Sequence, residues 1–89
     1  MQKLLLAIVT AEALDPLTHT LVDNGFHVTQ ISSMGGFLRR GSATLVIGVD
    51  EARVEDALVL FRQVCEPLSH TEAHPATVFV LTASQVLQF

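Results

Sequence analysis

The residues best equipped for chemistry lie in one short stretch, Gly35-Gly36-Phe37-Leu38-Arg39-Arg40-Gly41-Ser42. Glycines that adopt positive φ let successive backbone N–H groups converge on an anion, and the paired arginines add fixed positive charge beside them. Phe37 and Leu38 offer a flat apolar pair on which a nucleobase can rest. On pattern alone a second reading stands beside this one: a glycine-rich hairpin loop whose arginines are solvated.

The other reactive residues are more scattered. His70 and His74 with Glu72 between them could ligate a divalent metal, although a proline-flanked loop with no fourth ligand suits a solvated segment better. This is the one place where a small metal-dependent activity can be envisaged. Cys65 falls on the apolar side of a helical pattern, as a buried inert thiol would, and His19 lies between two threonines as a surface residue would. No Ser/His/Asp set and no paired carboxylates stand out, so the chain reads as a non-enzyme without a cofactor.

The elements that must position these residues can be read from period and punctuation. The run from Leu4 to Thr10 is continuous and rich in branched residues, which predicts a central strand buried on both faces. Asp15 followed by Pro16 predicts a helix start, with Leu17, Leu21 and Val22 at helical spacing and Asn24-Gly25 as the stop. His27 to Met34 predicts a second strand, exposed or facing a partner, and Ala43 to Val49 a third, so the glycine loop joins a hairpin. Asp50 is placed to cap a second helix, whose apolar face is Val54, Ala57, Leu58, Phe61, Val64 and Cys65. Glu66 to Ala76 lacks periodicity and reads as a loop, Thr77 to Thr82 as a fourth strand, and the remainder as a tail.

The order βαββαβ is most simply buried as a ferredoxin-like α+β domain, a four-stranded antiparallel sheet with both helices on one face, spanning residues 1–89. Hydrophobic residues make up 49% of the chain, charged residues 16%, and the mean hydropathy is +0.47, which excludes intrinsic disorder. So small a domain cannot hide that much apolar surface alone, and a homo-oligomer is expected. Five basic against nine acidic residues give a net charge of −4, the wrong sign for broad binding to nucleic acid. RNA recognition through aromatic stacking is also disfavoured, because tyrosine and tryptophan are absent. One cysteine fits a reducing compartment. The N-terminal apolar run falls short of a secretory signal core or a membrane span, so a cytoplasmic protein is expected.

Thr29, the string Gly35-Gly36-Phe37-Leu38-Arg39 with Gly41, the strand Leu45-Val46-Ile47-Gly48-Val49, the closing Ala76-Thr77-Val78-Phe79-Val80-Leu81 and the terminal Gln88-Phe89 together resemble the PII-like cyclic di-AMP receptor family. The likeness spans nearly the whole chain. It implies a PII-like homotrimer that holds cyclic di-AMP in clefts between subunits and signals to a downstream protein partner. By position, the ligand contacts it implies are Thr29, Gly35, Gly36, Phe37, Leu38, Arg39, Gly48, Phe79 and Gln88, with His27 and Ser42 at two further pocket positions. Amides of the glycine loop would meet the phosphates, apolar side chains the adenines, and Thr29 or Gln88 would supply hydrogen bonds. At 27 and 42 the family usually carries arginine and asparagine, and its loop before the last strand is longer. The resemblance therefore also implies an alternative: a trimeric regulatory scaffold that has lost the ligand.

Overall fold

The computed structural model describes residues 2–31, 42–68, 74–85, 87 and 89. Its elements are β1 (Gln2–Thr10), α1 (Ala11–Asp23), β2 (His27–Ile31), β3 (Ser42–Asp50), a 3-10 turn (Glu51–Arg53), α2 (Val54–Cys65), a second 3-10 turn (Glu66–Leu68) and β4 (Ala76–Thr82). The four strands form one antiparallel sheet in the order β2-β3-β1-β4. That order is the ferredoxin-like α+β arrangement expected from the βαββαβ sequence pattern.

The core lies between the sheet and the helices. Leu5 pairs with Ile47, Ala7 with Leu45 and Val9 with Ala43, and these pleat positions alternate with residues that point the other way. Leu5, Ala7, Leu45 and Ile47 are fully buried, as are Ala13, Leu17 and Leu21 of α1 and Ala57 of α2. Spacings of four along α1 put its three buried residues on one stripe.

Three details of the helices differ from the sequence-based expectations. α1 begins four residues before Asp15: Thr10 is its N-cap, with the side-chain oxygen accepting from the Ala13 amide at 3.3 Å. A threonine at the last position of β1 caps the helix at once, so the chain turns straight from strand to helix. Pro16 then sits inside the helix on its exposed side. There it removes one intrahelical hydrogen bond, which the packing of Ala13, Leu17 and Leu21 outweighs. Second, Asp50 is extended and makes no side-chain cap bond; the chain passes through a 3-10 turn before α2 starts at Val54. Third, Leu60 rather than Leu58 joins Val54, Val64 and Cys65 against the core.

The stop of α1 follows the sequence closely. Gly25 has φ of 86°, its amide donates to Val22 O at 3.0 Å, and the Phe26 amide donates to Leu21 O at 3.0 Å. This is a Schellman closure, with the left-handed residue supplied by glycine and Phe26 folding back on the buried Leu21. It delivers the chain into β2 at His27.

β1 is central, as expected, but only one of its faces is covered by helices. On the other face, Leu4, Leu6 and Ile8 are only partly buried, by their neighbours along and across the sheet.

Candidate functional site

The strand registers arrange the open face of the sheet in rows. His27, Gly48, Leu4 and Leu81 form one; Thr29, Val46, Leu6 and Phe79 the next; Ile31, Thr44, Ile8 and Thr77 the third. Ser42, opposite Thr10, lies beyond the third row. Five expected ligand contacts are thus on this one face: His27, Thr29, Ser42, Gly48 and Phe79. Gly35, Gly36, Phe37, Leu38, Arg39 and Gln88 lie outside the described residues, as do His70 and Glu72 of the conjectured metal loop.

Sharing a face does not make the five residues one pocket. Gly48 and Ser42 are six positions apart along β3, about 20 Å at ~3.3 Å per residue. Thr29 and Phe79 are separated by three strand spacings, about 14 Å. They lie along an extended strip of the face rather than in one pocket.

A local concavity does exist at the first row. Gln2, Gly25, Phe26, His27, Gly48, Val49, Asp50 and Arg53 line a recess of about 240 Å³. Gly48 lies directly across from His27 and from Leu4, so the face has a notch where a side chain would stand. A Cβ at Gly48 would come 3.2 Å from Nε2 of Gln2, which identifies the group lying over the notch. Glycine in a central strand commonly marks such a close approach.

Arg53 shapes the wall of the recess. Its guanidinium donates to Asn24 O at 3.2 Å, stands 4.2 Å above the Phe26 ring, and lies 3.8 Å from the Asp56 carboxylate. The first two contacts tie the α1–β2 corner, and with it the start of the His27 strand, to the beginning of α2. The Asp56 pair is exposed on both sides and adds little. Sequence reasoning missed Gln2 and Arg53, since neither belongs to a motif; only the pairing of Gln2 with Asp50 and the packing of α2 bring them to Gly48 and Phe26.

Elsewhere, partial burial pushes the Cys65 thiol above its ordinary value, which suits the inert thiol expected from its place on the helix. Among the described residues, no helix is long and apolar enough to cross a membrane, and no group of three His, Cys, Asp or Glu side chains could hold a metal.

The strand order and the two helices define a ferredoxin-like α+β domain with one open sheet face. The family described as cyclic-di-AMP receptor matches residues 2–78, and the chain belongs to it. Among solved structures, a functionally unknown protein from Pediococcus pentosaceus ATCC 25745 superposes with a TM-score of 0.79 at 30% identity, covering 99% of this chain and 97% of that one. A DUF3240 family protein from Shewanella baltica OS155 superposes with a TM-score of 0.70 at 18% identity, covering 99% and 96%, a likeness of fold.

Proposed function

We propose that the chain is a non-enzymatic signalling protein that binds cyclic di-AMP in clefts between the subunits of a homotrimer, and that ligand binding is relayed to a protein partner. The observation that carries the reading is the spread of His27, Thr29, Ser42, Gly48 and Phe79 over one uncovered sheet face. Within one chain these positions form an extended strip. When a neighbouring copy packs against the face, residues from the two chains can close on one ligand. The apolar character of Leu4, Leu6, Ile8 and Val46 supports a subunit contact there. Glycine at 48 leaves the place of a side chain to the Gln2 carboxamide at the edge of the recess beside His27, and Thr29 offers a hydroxyl for a base edge or phosphate. The family's description, cyclic-di-AMP receptor, supports cyclic di-AMP as the ligand.

Calorimetry with cyclic di-AMP, ATP and AMP, with sedimentation of the same sample, tests this. Expected are saturable heat with cyclic di-AMP and the mass of three chains. No heat with any of the three nucleotides, or a sample that sediments as one chain, overturns it.

The departures at His27 and Ser42 favour one second reading, a trimeric scaffold without the ligand. Histidine cannot offer the permanent, forked charge of arginine, nor serine the paired donor and acceptor of asparagine. In that case the natural chain is a silent trimer, and the double substitution His27→Arg, Ser42→Asn creates binding that it lacks.

A further inference from the structure

We propose that Gln2 is a specificity-determining residue of the nucleotide site, its carboxamide reading the edge of an adenine seated in the recess beside Gly48. The proposal rests on the cyclic di-AMP reading above and names how that site tells one purine from another.

Three observations place Gln2 there. Its Nε2 is the atom a Cβ at Gly48 would meet, at 3.2 Å, so the carboxamide is the side-chain group standing over the gap in the face. Its backbone is fixed, because Gln2 pairs with Asp50 at the end of β1 and its carbonyl accepts from the Ala83 amide at 3.1 Å. Its side chain, by contrast, makes no hydrogen bond to another described residue. A carboxamide anchored by its backbone, free at its tip and lining a recess with His27 and Phe26 is placed to meet a ligand.

The chemistry of the group then selects the base. A carboxamide presents one donor and one acceptor side by side. Adenine offers the complementary pair, the N6 amino donor beside the N7 acceptor, whereas guanine shows two acceptors, O6 and N7, along the same edge. Against guanine the carboxamide oxygen would face another oxygen. At this N7 edge Gln2 rewards adenine and opposes guanine, which neither His27 nor the bare backbone at Gly48 would do by itself.

The test compares cyclic di-AMP with cyclic di-GMP by calorimetry on the natural chain, Gln2→Ala and Gln2→Met, the last keeping the length of the side chain without its hydrogen bonds. Expected is a loss for cyclic di-AMP on the order of tenfold in both variants, with cyclic di-GMP unchanged or improved, so that the preference narrows. Thermal unfolding accompanies each variant; the ratio of the two affinities is a readout that a general loosening of the fold would not move. Variants that keep the natural preference overturn the role of Gln2 while leaving the receptor reading intact. If the natural chain binds neither dinucleotide, the receptor reading itself fails and the role of Gln2 with it.

Discussion

The two faces of the sheet are built from the same strands and yet have opposite fates. On the helix side Leu5, Leu45 and Ile47 are 0% exposed. On the other side Ile31, Phe79 and Leu81 remain 51%, 48% and 46% exposed. An antiparallel sheet with one solvated face ordinarily alternates apolar and polar residues, but β1 places leucine or isoleucine on both sides of its pleat from Leu4 to Ile8. The covered face stores the stability of the single chain. The open face is apolar along β1 at Leu4, Leu6 and Ile8 and carries five of the expected ligand contacts, His27, Thr29, Ser42, Gly48 and Phe79, which suits a surface completed by another copy.

Substitutions can break that contrast in graded fashion. Leu45→Ala, in the middle of the covered face, is expected to cost about 2 to 5 kcal/mol through lost transfer energy and an unfilled cavity, measured by urea unfolding. Arg53→Ala removes the donor to Asn24 O and the cation above Phe26; exposure of the guanidinium limits the cost to about 1 kcal/mol. The same variant should weaken any ligand held beside His27, because the corner that sets β2 is loosened.

Leu6→Lys, on the open face, should cost less than Leu45→Ala, about 1 kcal/mol, because Leu6 is only partly buried between Val46 and Phe79, while sedimentation should show the variant as single chains where the natural chain assembles. If instead it unfolds the chain as Leu45→Ala does, the two faces are not distinct in the way described.

Much of the fold is legible in the sequence because its signals are local. The branched run of β1, the Asn24-Gly25 stop and the apolar face of α2 are each written within a dozen residues. The start of α1 was less legible: Asp15-Pro16 is a convincing helix-start signal, but Thr10 lies at the end of a strand and caps first. Of the candidate site, the strings around Gly48 and Phe79 carried the family likeness, whereas Gln2 and Arg53 carried no signal.

The order of strands and helices, the family likeness and the excess of apolar residues can all be read from the amino-acid chain alone. All of these follow from composition and short-range spacing. The tertiary structure decided that His27, Thr29, Ser42, Gly48 and Phe79 share the uncovered face and that Gln2 stands over Gly48. These relations depend on register between strands distant in the chain, where a slip of one residue would turn a whole strand over, and the burial of Leu5, Leu45 and Ile47 beneath the helices selects the register that places them there.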